Sequence, residues 1–179
     1  MLGNHGPAYS PRYPAEYARF KPACTSAELT DCPAEAIVNA YDNAILYTDH
    51  VLAGLITYLG SRSDRDSALI YVSDHGESLG ENGMYLHGLP WRLAPATQRE
   101  VPMVAWLSPG MQASGRIDEA CLRRNSGGPV SHDNLFHSVL GLLDVRTRIH
   151  EPALDLFGRC RAGSNAALVA QEPRTAVGS

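Results

Sequence analysis

The chain has 179 residues, 44% hydrophobic and 19% charged, which suffices for one buried core, so a single domain or a large piece of one is expected. Its formal net charge is −4 and it has no run of lysines or arginines to track a phosphate backbone, which argues against nucleic acid as a partner. No apolar stretch approaches the roughly 20 residues that cross a bilayer, and no basic segment followed by an apolar core opens the chain, so neither a membrane span nor an export signal is read in it.

Residues 1 to 33 are rich in Pro, Gly, Tyr and Ser, and Pro7, Pro11, Pro14, Pro22 and Pro33 interrupt any long period, so irregular structure is expected there. A helix should follow. Pro33 suits a first helical turn, and Ile37, Tyr41, Ile45, Thr48, Leu52, Leu55 and Leu59 recur at steps of three or four, with Gly60 and Ser61 as the stop. Ala68 to Ser73 is a short apolar run emptying into Asp74-His75-Gly76, the pattern of a buried parallel strand followed by a loop. Glu77 and Ser78 suit the start of a further helix. Val101 to Leu107 predicts a second strand, ended by Pro109-Gly110, and Ser131 a helix N-cap ahead of Leu135, Phe136, Val139, Leu140 and Leu143. From about residue 162 the chain turns small and polar, as a loose tail does. This order of elements fits an α/β sandwich with a mostly parallel sheet, in which ligands gather at the carboxyl ends of strands.

Asp74 and His75 fall at such an end, where a carboxylate oxygen and an imidazole nitrogen suit a zinc ion. The competing reading is a capping aspartate beside a core histidine. His5 (Gly3-Asn4-His5-Gly6-Pro7) and His87 (Tyr85-Leu86-His87-Gly88) lie in glycine-containing loops, and each taken alone is equally well a surface histidine. Asp49-His50 falls inside the expected long helix, where neighbours point about 100° apart and do not share an ion. His132-Asp133 sits at an expected helix start, where capping is the default. Four cysteines, Cys24, Cys32, Cys121 and Cys160, show no C-x-x-C spacing, which leaves open disulfides of an oxidising compartment or four reduced core thiols.

In order, GNHGPAYSPRYP, the loop between Cys24 and Cys32, NAYDNAILYTDHVL, ALIYVSDHGESLGENGMYLHG, APATQREVPMVAWLS and SHDNLFHSVLGLLDV resemble the catalytic domain of lipid A phosphoethanolamine transferases. That family includes the mobile colistin-resistance enzymes and belongs to the alkaline phosphatase and sulfatase superfamily. The resemblance runs from about residue 3 to 160. It implies an alkaline phosphatase/sulfatase-like α/β/α sandwich with a mostly parallel sheet, N-terminally truncated, with residues 1–161 as the C-terminal part of the catalytic domain and 162–179 as a flexible tail.

The resemblance also implies an activity: zinc-dependent transfer of phosphoethanolamine from phosphatidylethanolamine, the donor, to a phosphate of lipid A, the acceptor, through a threonine that carries the group between half-reactions. Asp74 and His75 match the family's zinc pair. His5 and His87 match histidines that contact substrate phosphate or a further zinc ion. Cys24 and Cys32 match a family disulfide, which leaves Cys121 and Cys160 to each other. The family sits at the periplasmic face of the bacterial inner membrane on N-terminal helices, and some members confer polymyxin resistance. Its nucleophilic threonine, a glutamate ligand and those helices all belong upstream of residue 1, so the nucleophile is not expected in this chain, and the chain alone is expected to be inactive. The alternatives are another superfamily activity (phosphodiesterase, sulfatase or phosphoglycerol transferase) and a remnant that is not an enzyme.

Overall fold

The computed structural model describes residues 3–162. The chain divides between Ser108 and Pro109 into two compact units. The tail expected from residue 162 lies outside the described residues but for Ala162 itself.

In the first unit, residues 3–33 form nothing longer than single 3-10 turns, at Ser10–Arg12, Ala15–Tyr17 and Leu29–Asp31. The prolines supply no backbone N–H there, so a helix or ladder cannot propagate. The segment is fastened instead to α1 (Ala34–Gly60), which begins after Pro33 and carries Glu35 in its first turn. The fastening is largely polar. Asn43 of α1, 0% exposed, accepts from the backbone N–H groups of Arg19 (2.8 Å) and Phe20 (2.9 Å) through Oδ1, and its amide donates to the carbonyl of Phe20 (3.0 Å). Cys24 N–H donates to the carbonyl of Ala36 (2.8 Å), and the disulfide between Cys24 and Cys32 closes the loop that leads into α1. Tyr9, Cys24, Leu29, Ala36, Ile37 and Ala40 form the core of this unit, with Tyr9 edge-on to Tyr41 at 5.4 Å.

The ends of α1 lie where Pro33 and Gly60 suggest, but its buried face differs from the expected stripe. Ala36, Ile37, Ala40, Asn43, Ala44 and Thr48 are buried, whereas Ile45 and Leu55 are exposed. The reason is the partner: an irregular, hydrogen-bonding segment packs best on small residues and an amide, and it covers only the N-terminal half of the helix.

β1 (Ala68–Val72) pairs with β4 (Met103–Leu107), Ala68 opposite Leu107 and Val72 opposite Met103. The pairing is antiparallel, which corrects the expectation of parallel neighbours for these two strands. A parallel pair needs a crossover, usually helical, that carries the chain back to the starting end. Residues 73–102 instead hold a small antiparallel hairpin, β2 (Ser78–Leu79) with β3 (Tyr85–Leu86), and a single helical turn, α2 (Ala96–Arg99). The helix expected at Glu77 and Ser78 is therefore absent. Gly80, Asn82 and Gly83 adopt positive φ (120°, 54° and 76°), backbone that turns a hairpin and breaks a helix.

The second unit holds α3 (Pro109–Gly115), α4 (Glu119–Asn125) and α5 (Asp133–Leu142). Pro109-Gly110 thus opens a helix as well as ending a strand. A disulfide between Cys121 and Cys160 ties α4 to the segment after α5. The buried face of α5 is Asn134, Ser138 and Gly141, while Phe136, Val139 and Leu143 are exposed, again contrary to the expected apolar stripe. Asn134 donates to the carbonyl of Leu154 (2.9 Å) and Ser138 Oγ accepts from Leu156 N–H (3.0 Å), so α5 also packs through polar side chains against irregular backbone. Among the described residues no helix is long and apolar enough to cross a membrane.

Replacing Asn43 by Ala removes its hydrogen bonds to two N–H groups and a carbonyl that are only part-buried, each bond contributing about 0.5–1.5 kcal/mol net. The expected loss of about 3 kcal/mol reads as a lower urea midpoint at unchanged slope; an unchanged midpoint counters the assignment of Asn43 as the clamp on residues 19–20.

Candidate metal centre

Three expected site residues arrive from three separate segments. His5 lies in the irregular N-terminal stretch, His75 follows β1, and His87 follows β3. The structure brings them together, with one ligand nitrogen from each within 4.8 Å of the others. The rings of His75 and His87 stack at 3.7 Å, and that of His5 stands edge-on to both, at 5.7 Å and 4.9 Å.

Each imidazole is held by its Nδ1. His5 Nδ1 donates to the carbonyl of Gly6 (2.7 Å), His75 Nδ1 to the carbonyl of Gly76 (3.0 Å), and His87 Nδ1 meets Glu77 Oε1 (3.0 Å). A carbonyl oxygen only accepts, so the first two rings carry their proton on Nδ1 and leave the Nε2 lone pair free to bind. A ligating histidine is commonly fixed in this way, its other nitrogen tied to a carbonyl or carboxylate. The donor set therefore fits a divalent cation that takes nitrogen ligands, zinc among them.

Asp74 stands at the edge of this group. Its side chain is 90% exposed, and Oδ2 lies 3.9 Å from His75 Nε2. The structure thus joins His75 to His5 and His87 more closely than to its sequence neighbour. Asp49 and His50 are exposed on α1, His50 beside Tyr17 at 5.0 Å, and neither belongs to the histidine group; Asp133 opens α5 in the second unit.

Sequence reasoning missed the role of Glu77. Its side chain is 4% exposed, and besides His87 it accepts from Gly6 N–H (3.4 Å) and from the hydroxyl of Tyr9 (3.3 Å). Burial, and then the negative charge of Glu77, push the Tyr9 hydroxyl far above its ordinary pKa, so it remains a donor across the working range. The available signal was weak: two carboxyls, Glu77 and Glu81, lie between His75 and His87 in a glycine-rich stretch, and nothing in the sequence separates the one that receives an imidazole N–H from the other.

Two glycines permit these approaches. A Cβ on Gly6 would come within 2.5 Å of Leu86 Cδ2 and 2.9 Å of the Tyr9 hydroxyl. A Cβ on Gly76 would collide with the carbonyl of Thr97, while its N–H donates to the carbonyl of Gln98 (3.0 Å). Ser78 is fixed in the same region, 0% exposed and receiving Gln98 Nε2 at 2.9 Å. A cleft of about 600 Å³ in the second unit, lined by Leu140, Val145, His150, Asp155, Arg159 and Arg161 among others, contains none of the expected site residues.

Residues 1–145 match the family described as Sulfatase. The chain is 46% identical over 162 residues to phosphoethanolamine transferase EptA of Salmonella typhimurium, covering 89% of this chain and 30% of that protein. It superposes on the soluble domain of lipooligosaccharide phosphoethanolamine transferase A from Neisseria meningitidis with a TM-score of 0.88 at 41% identity, over 90% of this chain and 49% of that one. It also superposes on the integral membrane form of that Neisseria meningitidis transferase with a TM-score of 0.87 at 42% identity, over 90% of this chain and 30% of that one. The chain thus spans about a third of the length of its curated relatives. It belongs to the sulfatase family, with an alkaline phosphatase-like α/β fold, and the relatives it matches there are phosphoethanolamine transferases.

Proposed function

We propose that this chain is the C-terminal part of the catalytic domain of a zinc-dependent phosphoethanolamine transferase that takes its group from phosphatidylethanolamine and passes it to a phosphate of lipid A. The observation that carries the reading is the convergence of His5, His75 and His87 with their Nδ1 atoms tethered. Relatives whose names specify phosphoethanolamine transfer support the choice within the family, and the two disulfides suit the oxidising periplasm.

His75 and Asp74 would hold the zinc ion. Bound there, zinc supplies charge neutralisation on phosphoryl oxygens and activation of an oxygen nucleophile. His5 and His87 stand close enough to His75 to contact the phosphate or a second ion, and one of them would return a proton to the departing diacylglycerol oxygen. Glu77 orients His87, and Gly6 and Tyr9 orient Glu77. The threonine that accepts the group is proposed to lie outside residues 1–179. In keeping with this, the Thr48 hydroxyl donates to Asn4 Oδ1 (2.9 Å) and that of Thr97 pairs with Ser78 Oγ (3.3 Å), each engaged in holding the fold.

The first test is metal analysis of protein purified without chelator, beside His5→Ala, His75→Ala, His87→Ala and Asp74→Ala. The expected order has His75→Ala losing the most zinc; equal content in all five proteins ends the metal assignment. The second concerns Glu77. Loss of a group that orients a ligand typically costs 10–100-fold in metal affinity, so with His87 on a second ion Glu77→Ala should weaken that ion's binding by about this factor in a chelator competition. Glu77→Gln, which keeps one acceptor oxygen, should recover part of it. Affinity unchanged in both would take His87 off the metal and leave it to the phosphate. The reaction itself is tested in the longer protein with fluorescent phosphatidylethanolamine and lipid A. Zinc-dependent transfer to lipid A supports the reading, and hydrolysis without transfer assigns another reaction of the family.

A further inference from the structure

Immediately after His87 the chain makes a tight turn whose tip is apolar and exposed. Leu89 is 41% exposed, Trp91 69% and Leu93 70%. The N–H groups of Leu93 and Ala94 both donate to the carbonyl of Pro90 (2.8 and 3.0 Å), and Pro90 and Pro95 bracket the turn. A turn closed in this way presents its side chains with little freedom left to lose. Leaving three large apolar groups in water on such a scaffold costs free energy that a covering surface would recover.

Charge narrows the identity of that surface. The chain has 19 acidic against 15 basic residues, yet residues 82–99 contain no Asp or Glu and include Arg92 and Arg99, the latter 5.1 Å from the Trp91 ring. A separate protein partner of ordinary size engages some 20–30 residues on each side, whereas the apolar tip consists of three side chains, Leu89, Trp91 and Leu93. A lipid surface has no such requirement, because single side chains partition into it independently. Tryptophan favours the layer between headgroup and hydrocarbon, leucine the depth below it, and arginine the anionic headgroups above.

We propose that residues 89–93 insert into the interfacial layer of an anionic bilayer, Trp91 and Leu93 entering the membrane while Arg92 and Arg99 pair with lipid phosphates. The choice of a lipid surface rests partly on the lipid-transferring function proposed above. The test keeps the two apart, since it measures docking in the absence of zinc and acceptor.

Trp106→Phe leaves Trp91 as the only tryptophan of the full 179-residue chain. Mixed with vesicles of phosphatidylethanolamine and phosphatidylglycerol, its emission should shift to the blue and be quenched by lipids brominated along the acyl chain. Leu93→Ser should weaken vesicle co-sedimentation roughly tenfold, the effect of one buried apolar side chain. Arg92→Gln should weaken it several-fold on anionic vesicles and leave phosphatidylcholine vesicles unaffected. Metal content, read on the same variants, should not change. Emission indifferent to vesicles overturns the proposal, as does a blue shift without lipid: one that grows with protein concentration assigns the turn to a second copy of the chain, and one already present in the longer protein assigns it to the remainder of that protein.

Discussion

The carboxyl group of Glu77 is the point on which the site depends. Buried, it would be costly to leave without partners, and it finds three of them on two stretches of chain far apart in sequence: the backbone of Gly6 and the hydroxyl of Tyr9 on one, and the imidazole of His87 on the other. Satisfying that one group therefore draws the N-terminal stretch onto the β2–β3 hairpin. Once they are joined, His5 and His87 have no choice but to face each other, and His75 is set beside them by the end of β1. The chemistry of the three imidazoles follows from a requirement for hydrogen bonds that none of them imposes.

A site residue on an irregular segment is ordinarily poorly placed. His5 escapes this because residues 3–33 are held at many points to α1: Asn43 at residues 19 and 20, Asn39 at the carbonyl of Pro22, Cys24 at Ala36, and Thr48 at Asn4, the neighbour of His5. Tyr9 joins the two arrangements. It is a core residue packed on Tyr41 and also a donor to Glu77, so the apolar core and the polar network share one side chain. Disturbing either is expected to reach the other.

These polar fastenings explain what the amino-acid pattern showed and what it hid. The limits of α1 are legible in Pro33 and Gly60, and the strands at 68–72 and 103–107 in their apolar runs. Which face of a helix is buried was not legible for α1 or α5, because period-based reasoning assumes an apolar partner, and here the partners are irregular backbone that demands Asn43, Asn134 and Ser138. Strand direction was not legible either, since an apolar run reads the same whether its neighbour is parallel or antiparallel. The three histidines were ambiguous one at a time and recognisable only as ordered strings. Glu77 was hidden because its partners are contributed by the fold, and a glutamate near a loop looks locally like a helix start.

The contrast in burial within the site separates the groups that hold the imidazoles from the imidazoles themselves. His5 and His87 are exposed, while the groups immediately behind them, Gly6, Tyr9 and Glu77, are buried. A rigid backing keeps the imidazoles oriented without enclosing them. What that base offers is a set of ring nitrogens whose directions are already fixed, so positioning falls on whatever carries the reacting group. For a lipid headgroup the remaining difficulty is height above the bilayer, since a headgroup cannot leave its membrane far enough to reach a site suspended in solvent. An apolar, basic turn that begins within two residues of His87 addresses that difficulty directly. Anchored in the interface, it would hold the histidines at the depth where phosphate groups lie, and proximity to the membrane would then be set by the same short stretch of chain that supplies a site residue.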